Sequence, residues 1–155
     1  MSTLLKTYRR FSSRPFGKKL FSLAVCWRAP YFRTIRPRVE ELQPGFGRIS
    51  MKNRRAVHNH IRTVHAIAMC NLCELTAGLT IDVSLPSHKR WIPMGMEVAY
   101  LHKAKTNLTA TCQFELPDWE QINDFTIAVS VKDIHDQEVM KAHIKMKVSD
   151  KKKKP

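Results

Sequence analysis

The run Asn59-His-Ile-Arg-Thr-Val-His65-Ala-Ile-Ala-Met-Cys70-Asn-Leu-Cys-Glu74-Leu-Thr-Ala-Gly78-Leu79 decides how this chain is read. From Val64 onward it is apolar almost all the way round, the pattern of a helix enclosed by other structure. One carboxylate, Glu74, interrupts it. A buried charge is costly, so Glu74 is expected to be partnered, protonated or functional. A helix over residues 64–81 would be about 27 Å long at ~1.5 Å per residue, enough for the spine of a small domain. His65, Asn71 and Glu74 argue against a membrane span despite that length.

Downstream, alternation takes over. Met94, Met96, Val98 and Tyr100 alternate with Gly95, Glu97 and Ala99, and residues 108–116, 125–131 and 140–148 repeat the pattern. Period two gives each strand one apolar and one wet face, hence an antiparallel sheet covered on one side only. Asp133 to Gln137 is short enough to join the last two strands as a hairpin. Upstream, residues 39–43 and 46–52 flank the turn signal Pro44-Gly45. Residues 53–63 read as irregular, and residues 82–89, with Pro86, as a loop. Two strands, one enclosed helix and four one-faced strands satisfy each other only if the sheet curls around the helix. The fold class is α+β, with sheet edges that invite a second copy.

The 155 residues carry a net charge of +14, and 43% are hydrophobic, ample for one core. Such charge speaks of encounter with anions: nucleic acid, an acidic membrane or a phosphate-rich ligand. No nucleic-acid module and no stacking aromatics interleaved with the cations appear, which disfavours nucleic acid. Residues 1–33 are basic and amphipathic, broken at Arg14-Pro15. They read as a presequence, an interfacial membrane anchor or two short helices packed on the domain; the aromatic content favours the last. The domain would then be residues 34–150, followed by a basic tail at 151–155. Cys26, Cys70, Cys73 and Cys112 sit in apolar contexts with no secretory signal ahead, predicting reduced thiols in a cytoplasmic protein. Cys70 and Cys73 lie mid-helix, where a thiolate gains nothing, so they read as core residues and not a redox pair. His58, His60 and His65 with Glu74 match no zinc spacing, and no metal site is expected.

The order of elements resembles the hot-dog fold. More narrowly, the chain is similar to a bacterial domain family of unknown function related to acyl-CoA thioesterases of the phenylacetic-acid-pathway type. Pro15-Phe16-Gly17, Ala29-Pro30-Tyr31, Arg54-Arg55, residues 59–78 and Arg90-Trp91-Ile92-Pro93 carry the likeness. In those thioesterases an Asn precedes the central helix and an acid follows fifteen positions on, which matches Asn59 and Glu74 here. The family's His at the helix start matches His65. Where the thioesterases place Gly-Gly after that His, this chain has Ala66-Ile67, and their Gly three residues after the Asn is Arg62.

The resemblance implies hydrolysis of acyl-CoA-type thioesters at a dimer interface, or a non-catalytic hot-dog module that binds an acyl group or lipid. Hydrolysis needs an activated water or a carboxylate nucleophile, and a donor for the oxyanion. Glu74 would supply the first, and amides around His65 and Ala66 at the helix N-terminus would supply the second. Asn59 would orient the water or carbonyl. No cofactor is required; coenzyme A enters as part of the substrate. Its phosphates would meet Arg62, Arg90, Lys103 and Lys105. The expected partners are a thioester, a second copy in a homodimer or tetramer, and peripheral contact with a membrane.

Overall fold

The computed structural model describes residues 2–151; the remainder of the basic tail predicted at 151–155 lies outside the described residues. Two helices open the chain, α1 (Thr3–Ser12) and α2 (Gly17–Arg28). Ser2 caps α1 by accepting the Leu5 N–H at 3.1 Å. Between the helices Phe16 takes a left-handed conformation, with φ 60°. Gly17 then passes so close to α1 that a Cβ there would stand 1.6 Å from the Phe11 carbonyl oxygen. That approach requires glycine at position 17. Leu5, Tyr8, Phe21 and Val25 join the core cluster of the rest of the chain, so the N-terminal helices share its core.

A 3-10 helix (Pro30–Thr34) leads into β1 (Arg38–Gln43) and β2 (Phe46–Met51). Gly45, at φ 76°, makes the turn between them. Then come the 3-10 turn Arg55–Val57, the central helix α3 (Ala66–Ser84), and β3 (Lys89–Tyr100), β4 (Leu108–Gln113), β5 (Asp124–Lys132) and β6 (Glu138–Asp150). The six strands form one antiparallel sheet in the order β1-β2-β4-β5-β6-β3. It curls around α3 as the alternation requires. α3 is long and apolar enough to cross a membrane by length and composition, but most of it is buried in the molecule.

The two buried hydroxyls of α3 are satisfied within the helix. Thr76 and Thr80 donate to the carbonyls of Leu72 and Thr76, each at 2.7 Å. Ser84 donates to Thr80 and accepts from the Gly45 N–H at 2.9 Å, tying the helix end to the β1–β2 turn. α3 lies closest to β2 at Gly47, where a Cβ would stand 2.1 Å from Thr80 Oγ1.

Several expected boundaries shift, each for a tertiary reason. α3 begins at Ala66 because Val64 is held extended by a bridge to His58 and a bond to the Ala104 carbonyl. It runs on to Ser84, not 81, and ends where Pro86 holds Leu85 extended. The loop expected at 82–89 shrinks accordingly, and β3 starts at Lys89. Met94 does not share the inward row with Met96: the register slips between Pro93 and Gly95, leaving Met94 as the extra residue of a bulge. β4 stops at Gln113, short of 116, where Phe114, Trp119 and Phe125 close that end as edge-to-face aromatics. Most consequentially, α3 is not enclosed on all sides. Ile67 is 55% exposed and Glu74 only half-buried, so one strip of the helix stands open beside β3.

Candidate functional site

The open strip starts at the N-terminus of α3. His65, its cap, is backbone-extended and accepts the Ile67 N–H on Nδ1 at 3.0 Å. That leaves the ring proton on Nε2 in the neutral tautomer. The amides of Ala68 and Met69 reach the His65 carbonyl. Ala66 N–H is then the helix-start amide with no acceptor among the described residues. It is a donor at the positive end of a 19-residue helix.

Around this point the chain gathers several of the residues predicted for the site. Asn59 lies in the preceding loop, where its Oδ1 accepts from the amides of Ile61 and Thr63, both at 3.1 Å, and its Nδ2 donates to Thr63 Oγ1 at 2.8 Å. Its side chain therefore builds the loop. Arg62 sits exposed at the loop tip with φ 61°. Lys103 and Lys105 flank Ala104, whose carbonyl takes the Val64 N–H at 2.8 Å, so both exposed ammonium groups are anchored beside the helix start.

Two predicted residues lie elsewhere. Glu74 is eight residues past Ala66, about 12 Å along the helix axis. It has no hydrogen bond or ion pair among the described residues. Within one chain it cannot reach the same carbonyl carbon as the Ala66 amide. Arg90 is at the far end of β3, roughly 33 Å of strand from Tyr100. It donates from Nε to Ser149 Oγ at 3.1 Å and stays apart from the helix start.

Beside the cap is a pocket of about 200 Å³ lined by Tyr31, Thr34, His58, His65, Ile67 and Asn71, among others. Asn71 is its notable group. It is 7% exposed and its Nδ2 donates to Thr34 Oγ1 at 3.0 Å, while its Oδ1 has no partner. A buried carbonyl left unpaired is costly, so this oxygen is an acceptor poised for a donor from outside the chain. Arg54 holds the Thr34 carbonyl from the other side and steadies the 3-10 helix that carries Thr34. Along the open strip Cys70 Sγ lies 3.5 Å from the Tyr100 hydroxyl on β3. The contact with Cys70, aided by desolvation, pushes the Tyr100 phenol up to about 12.

Sequence reasoning did not single out Thr34, His58 and Tyr100 as pocket or strip residues. Asn71 had a signal, a polar residue at a position facing out of an apolar helix, but it served only to argue against a membrane span.

A larger hollow of about 790 Å³ lies on the outer face of the sheet. Its charges are largely spent on ion pairs: Lys132 with Asp136 and Lys141 with Glu138 inside the hollow, and Arg48 with Glu41 next to it, at 2.9–3.1 Å. It offers no free helix terminus and no orphaned buried group. The helix start is the better site. No group of three or more His, Cys, Asp or Glu gathers as metal ligands among the described residues.

The family described as DUF4442, a domain of unknown function, matches residues 17–148. The chain belongs to that family. A structural-genomics crystal structure, APC5556, is 37% identical to this DUF4442 chain; the match covers 96% of this chain and 99% of that one, with a TM-score of 0.85. The Pseudomonas aeruginosa protein PA5026, described as of unknown function and a probable thioesterase, is 18% identical over 81% of this chain and 91% of its own, with a TM-score of 0.75. The thioesterase SAV0944 from Staphylococcus aureus is 16% identical over 77% and 98%, with a TM-score of 0.69. At such identities the last two show the fold of the DUF4442 chain, the hot-dog arrangement of a curved antiparallel sheet around a central helix. No curated relative matches it.

Proposed function

We propose that this DUF4442 protein hydrolyses acyl-CoA-type thioesters at a site shared between two copies. The observation that carries the reading is the unengaged Ala66 amide at the N-terminus of α3, with an unpaired carboxylate, Glu74, on the same open strip. One is an oxyanion donor and the other a base, and they lie too far apart to serve one carbonyl within a chain. A two-fold axis at right angles to β3 would run the two copies antiparallel and bring Glu74 of one copy toward Ala66 of the other. β3 suits that role. Among the described residues it has a strand partner on one side only, and Met94, Val98 and Tyr100 are exposed along it, with Leu101 just past its end.

In this mechanism Glu74 takes a proton from water as the water oxygen attacks the thioester carbon. The carbonyl oxygen gathers charge against the Ala66 amide and the helix dipole. The carbon–sulfur bond then breaks, and the proton held by Glu74 returns to the leaving thiolate. Arg62, Lys103 and Lys105, exposed around the helix start, would meet the phosphates of coenzyme A. Asn71 Oδ1 would accept an N–H or O–H of the bound substrate in the pocket. The test is release of free thiol from a panel of acyl-CoAs by the wild-type protein and by Glu74→Gln. Turnover by the wild type, reduced by roughly 10²-fold in the variant, is the expected result. Equal turnover by both would dismiss Glu74.

A second reading has one observation in its favour. Ile67, where the related thioesterases place a glycine, lines the pocket with its side chain. A non-catalytic module that holds an acyl group would bind the panel without releasing thiol.

A further inference from the structure

The N-terminal helices leave a second apolar surface uncovered, away from the site. α2 is apolar on two sides. Phe21, Ser22, Val25 and Cys26 are buried against the domain. Leu20, Leu23 and Trp27 recur at three- and four-residue spacing on the side turned to solvent, so they form one row. Phe16 stands exposed just before the helix and Tyr31 just after it. The five are exposed by 82% (Phe16), 51% (Leu20), 56% (Leu23), 86% (Trp27) and 68% (Tyr31). Side chains standing that far out form a ridge and not a groove.

Charge says what covers the ridge. Residues 1–38 contain ten Lys and Arg and no Asp or Glu, most of the chain's net +14. Arg14, Lys19 and Arg28 are exposed along α2 and the turn before it, with no ion pair among the described residues. A second copy placed ridge to ridge would meet an equal positive field. Pairing through β3 would not cover it either, because α2 packs against β1, the opposite end of the strand order. A partner must therefore be anionic and must accept protruding apolar side chains without a matching set of pockets. A fluid bilayer does both. Trp and Tyr favour the headgroup level, leucines reach the acyl chains, and Lys and Arg stems snorkel to the phosphates.

We propose that the α2 ridge docks the protein on an anionic lipid surface. Tyr31, the last residue of the ridge, also lines the pocket at the start of α3. Docking there sets the pocket mouth close to the bilayer. The inference does not depend on thioester hydrolysis.

The experiment is flotation of the full-length protein with phosphatidylcholine vesicles, with and without phosphatidylglycerol, reading Trp emission and bound fraction. The protein should float with the anionic vesicles, shift its emission to the blue and come off as salt is raised. Leu23→Ser combined with Trp27→Ser, at exposed positions, should keep the melting temperature and bind at least tenfold more weakly. A charge variant, Arg14→Glu with Lys19→Glu, should lose binding with the ridge intact. Wild-type protein that ignores anionic vesicles, or floats equally well with neutral ones, overturns the proposal. So does a ridge variant that floats as before, or one that changes only the oligomeric state in light scattering.

Discussion

The two edges of the sheet are treated in opposite ways. At β1 the exposed backbone is covered by the N-terminal helices: Ser22 Oγ accepts the Val39 N–H at 2.9 Å, and Tyr8 donates to the Glu40 carbonyl at 3.2 Å. At β3 twelve residues run with no strand partner on the outer side among the described residues, beside the open strip of α3. Unpaired edges are sites of uncontrolled pairing, and proteins usually blunt them. This chain spends two helices on blunting one and leaves the other bare, with apolar residues along it. In the proposed function the bare edge is the one that receives a second copy, and that copy would complete the site at the start of α3.

Breaking the bare edge should have the largest effect. Val98→Asp sets a charge on β3 where the proposed pairing would bury it. Light scattering at micromolar concentration should show at least a dimer for the wild type and a monomer for the variant, and acyl-CoA turnover should be abolished. A variant that remains dimeric and active would separate the site from this edge. Glu74→Gln comes next. It removes the charge and keeps the shape, so turnover should fall by roughly 10²-fold while the melting temperature holds or rises. A sharp drop in melting temperature would instead identify Glu74 as half of an ion pair formed on assembly.

The sequence carried the fold further than it carried the site. Period-two alternation and one all-apolar helix are strong signals, and each strand and the helix was legible. What set the ends was not local. Val64 is pulled out of α3 by His58 and Ala104, neighbours made by the fold. The half-exposure of Glu74 was hidden because an all-round apolar helix reads alike whether its own sheet or a second copy covers the last strip. Residue type also misleads about use. Asn59 has the chemistry to orient a water, but its oxygen is occupied by the amides of its own loop. Arg90 has the chemistry to bind a phosphate, and strand length takes it to the other end of the molecule. Asn71, whose buried oxygen lacks a partner, is found only by tracing hydrogen bonds.

At the covered edge the effect should be moderate and purely one of stability. Ser22→Ala removes the acceptor of the Val39 N–H and leaves a buried donor unpaired, which costs about 1–3 kcal/mol. For a domain of this size each kcal/mol lowers the melting temperature by roughly 2–4 °C. Oligomeric state and turnover at low temperature should not move. If Ser22→Ala altered assembly, the two edges would not be independent.

The smallest effect is a change in labelling rate, and it reports on the bare edge without any mutation. Cys26, Cys73 and Cys112 are buried, while Cys70 is half-buried on the open strip. Burial raises the Cys73 thiol far above its ordinary range and pushes Cys112 up to about 12, so neither forms an appreciable thiolate at pH 8. Burial also raises Cys26. Iodoacetamide should therefore modify one thiol in the folded protein, and peptide mapping should identify it as Cys70. Tyr100 approaches Cys70 from β3, so anything that seats a second copy or an acyl chain along that strip should slow the reaction. The rate should fall as protein concentration rises through the assembly range, and should recover in Val98→Asp. A Cys70 rate that ignores both concentration and acyl-CoA would mean that the strip stays open in the working protein, and the contrast between the two edges would lose its functional meaning.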